Sequence, residues 1–254
     1  MNTVHLLNHE GVAELRLDNP DKLNALTPEM LSQLEQHCAE LEHATNIHAV
    51  LLTAEGDRAF CVGADVYAWS QLTPFDFARH WVREGHRILD RLARLSKPTI
   101  AVISGHAFGG GLELTAACDV RLMSPSATLA MPETGVGIVP GWSGTQRLVR
   151  QMPASVVKEL VLFGRRLSAE RARQIGFIAE VDNDPRARAL TFAADLTTKS
   201  PRATEIAKYM LGAALGENTE TMIEALGGGM LASSEDKTEG INAFREKRPP
   251  NFNE

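Results

Sequence analysis

The chain has 254 residues, 44% of them apolar and 23% charged, with 26 Lys and Arg against 32 Asp and Glu and a formal net charge of −6 at pH 7. This is an ordinary globular composition, and its acidity argues against a nucleic-acid partner, which requires a basic patch or stripe. The longest apolar stretch, residues 99–118, is interrupted by His106, glycines and Glu113, so no membrane span is expected.

The amino terminus lacks the charged and apolar regions of a secretory signal, and Cys38, Cys61 and Cys118 stand in unrelated contexts. A reducing, cytoplasmic location is the expectation. In chain order, residues 4–7 and 12–17 flank the turn-like Asn8-His9-Glu10-Gly11 and predict a hairpin. Thr27-Pro28 supplies an N-cap followed by proline at the first helical position, and Leu31, Leu34, Cys38 and Leu41 follow at helical spacing. Residues 49–53 and 99–103 are short apolar runs suited to strands covered on both faces. Between them, a helix is predicted from beyond Pro74 to about Leu95. Residues 112–118 read as a helix, and 120–123 and 128–131 as short strands. From Gln146 onward the pattern is mainly helical, with starts near Ser168, Pro185, Pro201, Glu217 and Ser234. The order predicts an α/β core with βαβ-type crossovers, followed by helices.

Charge is conspicuous where it is missing. Between Pro98 and Cys118 the only carboxylate is Glu113, and between Arg121 and Arg147 the only residue charged at neutral pH is Glu133. A helix starting near Gly109 puts Glu113 on the face of Gly109 and Gly110, where the lack of side chains lets another group approach the backbone. A desolvated carboxyl has its pKa raised and can hold or exchange a proton near neutrality, so the two glutamates form a candidate acid/base pair. Taken singly, each also reads as a capping or turn residue at the surface.

Other chemistry is less well supported. Gly109-Gly110-Gly111 does not complete G-x-G-x-x-G because Leu114 stands at the last glycine, and Gly135 and Gly137 fail likewise at Pro140. No GK[ST] follows either run, so neither a dinucleotide nor a phosphate loop is expected. Gly141-Trp142-Ser143-Gly144-Thr145 approaches a nucleophile elbow, but Thr145 replaces the final glycine and Pro140 precedes it, leaving serine hydrolase a weak alternative. There is no H-E-x-x-H and no cysteine pair at zinc spacing, so no metal is expected. His106 reads as a packing residue, and Trp69, Phe75, Phe77 and Trp81 as core or pocket wall.

Read together, the blocks Asn19-Pro20-Asp21-Lys22-Leu23-Asn24-Ala25-Leu26, Arg58 through Asp65, Lys97 through Gly105, Gly109-Gly110-Gly111-Leu112-Glu113-Leu114, Pro132-Glu133, Pro140 through Leu148, and Glu239-Gly240 to Lys247-Arg248 resemble the enoyl-CoA hydratase/isomerase (crotonase) family. The resemblance covers nearly the whole chain. It implies a spiral of ββα turns in residues 1–195, carrying the CoA and catalytic site. It also implies a helical region in 196–254 that mediates assembly into a homotrimer or a homohexamer. The implied ligand is an acyl-CoA thioester, coenzyme A entering only as part of the substrate, with no permanently bound cofactor. By matched position, the backbone N–H groups of Ala64 and Gly110 resemble an oxyanion hole, a role for which small residues suffice. Glu113 and Glu133 occupy the two carboxylate positions of the family's hydratases, Glu113 mainly activating water and Glu133 mainly supplying the proton to the α-carbon. Gly141 is a further candidate for positioning that water. Lys22 and Leu23, with Val62, Ala64, Asp65 and Val66, resemble the segments that cradle the adenine and phosphates of CoA, and Lys247 matches a basic position contributed by a neighbouring subunit. Both lysines also read as solvated surface residues.

The chain departs from the family pattern in places. Trp142-Ser143 replaces the small pair usual between Gly141 and Gly144, putting a large ring near the acyl end and making Trp142 a candidate substrate contact. Val66-Tyr67-Ala68-Trp69 replaces a pattern ending in Glu-Met, and Gly227-Gly228-Gly229 stands where an aromatic of the CoA site can occur. Enoyl-CoA hydration is the leading expectation. An enoyl-CoA isomerase or another reaction of the family is the alternative, and a non-catalytic or RNA-binding relative a distant one.

Overall fold

Residues 2–217 and 219–252 are described by the computed structural model. The strands are β1 (Thr3–His9), β2 (Val12–Asp18), β3 (Ala49–Ala54), β4 (Ala59–Cys61), β5 (Thr99–Ile103), β6 (His106–Phe108), β7 (Val120–Met123), β8 (Thr128–Ala130), β9 (Leu167–Ser168) and β10 (Glu180–Val181). The α-helices are α1 (Pro28–His43), α2 (Val66–Ser70), α3 (Pro74–Asp76), α4 (Arg83–Ala93), α5 (Gly110–Ala116), α6 (Gly144–Gln151), α7 (Ala154–Phe163), α8 (Ala169–Gln174), α9 (Pro185–Ala194), α10 (Pro201–Ala214), α11 (Thr219–Ala232) and α12 (Glu235–Glu246).

The strands form two sheets, one in the order β1-β2-β3-β5-β7-β10 and the other β4-β6-β8-β9. β3, β5 and β7 therefore alternate along the chain with β4, β6 and β8. Each turn lays one strand in each sheet and returns through helix, which is a spiral of ββα turns. Pairing is antiparallel at the β1/β2 hairpin and at β8/β9, and parallel between the successive turns. β5 is buried along its whole length, as its uninterrupted apolar run requires of a parallel strand covered on both faces.

Side-chain patterning seats the helices on these sheets. Thr27 caps α1 by accepting the Met30 N–H at 3.3 Å, and Pro28 sets the first turn. The face of Met30, Leu31, Leu34, Cys38 and Leu41 is buried. Removing Leu34 to alanine is expected to cost about 2–5 kcal/mol. The helix predicted beyond Pro74 is divided: α3, a π-helical segment Phe77–Val82 and α4 follow one another without a break. Ser168 and Ser234 cap α8 and α12, while the helix expected near Glu217 begins at Thr219.

Two compact units result, Met1–Glu205 and Ile206–Glu254. The division falls inside α10, whereas the sequence reading set its boundary at residue 195, and Leu196 packs against the first unit's sheet. In the second unit Arg248 forks onto Glu239, which also accepts the Asn251 N–H at 2.7 Å and so holds the start of the tail. Among the described residues of α11 and α12 only Met222 and Ala243 are buried. Ile223, Met230, Leu231, Ile241 and Phe244 stand exposed on these helices, as do Ile206, Met210 and Leu211 on α10.

Candidate active site

The site is assembled from backbone turns that aim polar groups at one apolar hollow. α5 begins at Gly110 after Gly109, whose φ of 53° lies in the left-handed region. One turn into α5, Glu113 is 3% exposed. Its Oε1 accepts the backbone N–H groups of Trp142 at 2.8 Å and Gly144 at 2.7 Å. Gly144 is required there, since a β-carbon would come 2.6 Å from Oε1. Burial pushes the Glu113 carboxyl up to about 7, with the like charge of Glu133 adding to the rise and the two N–H donors and Arg147 opposing it.

Glu133 opens a 3-10 turn, Glu133–Val136, and is also buried. Burial pushes its carboxyl above the ordinary value. Oε1 packs against Gly109, where a β-carbon would come within 2.7 Å, and Oε2 is buried with no hydrogen-bond partner. Two further donors border the same space. The Ala64 N–H lies between the Leu26 N–H to Gly63 carbonyl bond and the Asp65 N–H to Leu26 carbonyl bond, and takes part in neither. The Gly110 N–H belongs to the first residue of α5, where helix geometry provides no partner. The two segments are adjacent, because a β-carbon on Gly63 would sit 3.3 Å from the Gly110 nitrogen. Glu113, Glu133, Ala64, Gly110 and Gly141 all line one cavity of about 230 Å³, walled by Val62, Val66, Trp69, Phe77, Trp81, Val82 and Trp142. A larger hollow of about 380 Å³ beside Glu42, His48, Lys97 and Arg202 contains none of these residues. Among the described residues no cluster of His, Cys, Asp or Glu is arranged to hold a metal.

The sequence model of the enoyl-CoA hydratase/isomerase family matches residues 8–254. The chain belongs to that family. It is 31% identical over 252 residues to the short-chain-enoyl-CoA hydratase of Clostridium acetobutylicum, covering 98% of this chain and 96% of that one. With the (E)-benzylidenesuccinyl-CoA hydratase of Thauera aromatica it shares 33% identity over 255 residues, covering 98% of each. The crystal structure of an enoyl-CoA hydratase from Bacillus anthracis superposes with a TM-score of 0.82 at 30% identity, covering 99% of both chains. The protein is thus an enoyl-CoA hydratase or a closely related enzyme of the enoyl-CoA hydratase/isomerase family.

Of the remaining residues singled out in the sequence of this enoyl-CoA hydratase/isomerase relative, most fall beside the cavity. Lys22 Nζ lies 3.0 Å from Asp65 Oδ2, and Asp65 caps α2 through the Tyr67 N–H. The Lys22 partner holds the Asp65 carboxyl below its ordinary range. Leu23 adopts a left-handed φ of 53° and its carbonyl accepts the Val62 N–H, so the 22–23 and 62–66 segments adjoin. Lys247 lies in the second unit, exposed, at the end of α12.

Trp142 lines the same cavity and is packed from behind. Its indole Nε1 donates to the Trp81 carbonyl at 3.2 Å, and the two rings tilt together with centroids 5.4 Å apart. A β-carbon at Gly110 would come 2.8 Å from its Cζ3, and one at Gly85 only 2.1 Å from Nε1. Gly85 and the π-helical register that presents Phe77, Trp81 and Val82 to the cavity were not read from the sequence. The available signal was a glycine inside an otherwise good helix, which costs about 1 kcal/mol and so implies a close approach.

Proposed function

We propose that the chain adds water across the trans-2,3 double bond of an enoyl-CoA to give a 3-hydroxyacyl-CoA. The observation that carries this reading is the convergence of Glu113 and Glu133, both buried and both shifted toward holding a proton, on one cavity bordered by two uncommitted N–H groups. In this reading the Ala64 and Gly110 N–H groups receive the thioester oxygen, where negative charge develops on the way to the transition state. Anionic Glu113 takes a proton from water as the water oxygen bonds C3. The C2=C3 electron pair moves toward the carbonyl, and protonated Glu133 then delivers its proton to C2. The pair ends with its proton on Glu113 and resets when the proton returns to Glu133, behaving as one coupled titration.

Hydrogen bonding supports this division of labour. Glu113 has one oxygen fixed by two donors, which favours the carboxylate. A buried Oε2 without a donor, as on Glu133, is cheaper as a hydroxyl. Gly141 is assigned to positioning the water, and Trp142 to walling the acyl group. Lys22, Leu23, Val62, Asp65 and Val66 are assigned to the CoA moiety, joined by Lys247 of a neighbouring subunit in a homotrimer or homohexamer. The exposed apolar side chains of the second unit support such assembly. A cytoplasmic location is supported by three buried free cysteines. Among the described residues no helix is long and apolar enough to cross a membrane.

The test is hydration of crotonyl-CoA and of medium-chain and aromatic enoyl-CoAs, run beside isomerisation of a 3-enoyl-CoA. Turnover in the hydration assay is expected. Its absence on all three substrate types overturns the proposal, and isomerisation alone selects the isomerase.

A further inference from the structure

Ser143 is a buried serine in a conformation that favours glycine, with φ 76° and ψ 8°. The left-handed turn has a purpose visible in its neighbours: the N–H groups of Trp142 and Gly144, on either side of it, converge on the same oxygen of Glu113. Such a turn makes a concave pair of donors that holds an anion. A side chain at this φ adds strain that the surroundings must overcome.

Those surroundings run from His86 along α4 and back to α6. Ser143 Oγ lies 3.0 Å from His86 Nδ1 and 3.2 Å from Nε2. His86 Nε2 is 3.6 Å from Asp90 Oδ2, one turn along α4. Asp90 is gripped by the Arg147 guanidinium of α6, and the backbone N–H of Arg147 donates to the Ser143 carbonyl at 2.9 Å as the first turn of that helix. Arg94 also reaches Asp90, at 3.5 Å.

Serine, histidine and aspartate in this order invite comparison with a hydrolytic triad, and the geometry argues against it. Ser143 does not line the cavity. The Gly144 N–H, which follows the serine and would serve its oxyanion hole, is spent on Glu113. We infer that His86, set beside Asp90 on α4, is a positioning residue that locks Ser143 in the left-handed turn and thereby fixes the two N–H donors on Glu113 Oε1. The inference rests on Glu113 being the water-activating group of the proposed reaction, and its test is independent of turnover.

The test is a titration of the Glu113 carboxyl by carbon-13 NMR in protein labelled at glutamate, assigned by its loss in Glu113→Gln, with crotonyl-CoA kinetics alongside. Ser143→Ala and His86→Ala are expected to move the Glu113 midpoint upward, because loosened donors stabilise the carboxylate less. Both should lower kcat about tenfold with KM unchanged. Ser143→Gly, which adopts the turn without help, is expected to titrate as wild type, and His86→Ala added to S143G should then have no further effect. His86 is partly exposed, so its replacement leaves the fold intact and a stability loss alone would not move the titration. A Glu113 midpoint unchanged in Ser143→Ala, or shifted equally by His86→Ala in the wild-type and S143G backgrounds, overturns the inference. The expected titrations in a protein that hydrates no enoyl-CoA would uphold the positioning role and remove the proposed reaction instead.

Discussion

Glu14 and Glu113 are both sealed from solvent, yet their carboxyls move in opposite directions. Burial pulls the Glu14 carboxyl up as well, but Arg186, Arg16, Thr53 and His9 together hold it down at about 2. Its Oε2 meets Arg186 at 2.7 Å and His9 at 2.8 Å, and its Oε1 meets Thr53 at 2.7 Å and Arg16 at 3.0 Å. Glu113 has two neutral N–H donors on one oxygen and stays near 7. Glu113 also lies deeper, so it has the larger desolvation to offset. Full positive charges outweigh desolvation, while backbone dipoles offset only part of it, and that shortfall leaves Glu113 able to exchange a proton at neutral pH.

Substitutions can break this contrast from either side. The largest expected effect is on turnover: Glu113→Gln, and separately Glu133→Gln, should lower the hydration rate by roughly 10²–10⁴-fold. Full activity in both variants would show that the reacting groups lie elsewhere. Next comes stability, where the two buried glutamates should differ in sign. Glu14 has a folded value below its ordinary 4.5, so its contribution is present above pH 4.5 and fades as pH falls toward 2. Glu14→Gln should cost roughly 1–3 kcal/mol in urea unfolding at pH 7, discounted because Arg186 and Arg16 are partly exposed, with little cost near pH 2.

Glu113 behaves in the reverse sense. Its folded value lies above 4.5, so its favourable contribution is complete below pH 4.5 and is lost as pH rises through about 7. Glu113→Gln should therefore be the more stable protein at pH 8, by roughly 1–2 kcal/mol, and should lose that advantage at pH 4. Thermal melts at the two pH values decide it. The smallest effect is expected at Lys22, whose side chain is half exposed: Lys22→Ala should raise KM for the CoA substrate about two- to fivefold with kcat unchanged, the difference shrinking in high salt.

The candidate acid/base pair was legible in the sequence because uncharged surroundings are visible in one dimension: no charged partner for Glu113 or Glu133 lies nearby in the chain. The ββα spiral was legible only through the family resemblance, since short apolar runs such as residues 49–53 and 99–103 announce strands but not which of two sheets receives them. Glu14 could not be singled out, because in an alternating strand it looks like a solvent-facing residue, and Arg186, its strongest partner, is 172 positions away. The Ser143–His86 bond spans 57 positions and joins a loop to a helix face that carries no motif. Such distant pairings are set by how α4 and α6 pack, and local spacing holds no trace of them.

Gly85 and Trp142 occupy one shared volume, since any side chain at position 85 would overlap the indole. For anyone reshaping the cavity the two positions are a single variable. A library that varies only residue 142 samples vacancies of different size, and one that varies only residue 85 samples collisions. Paired changes, growth at 85 matched by reduction at 142, are the route by which the wall could be moved while the space beside Gly110 stays filled.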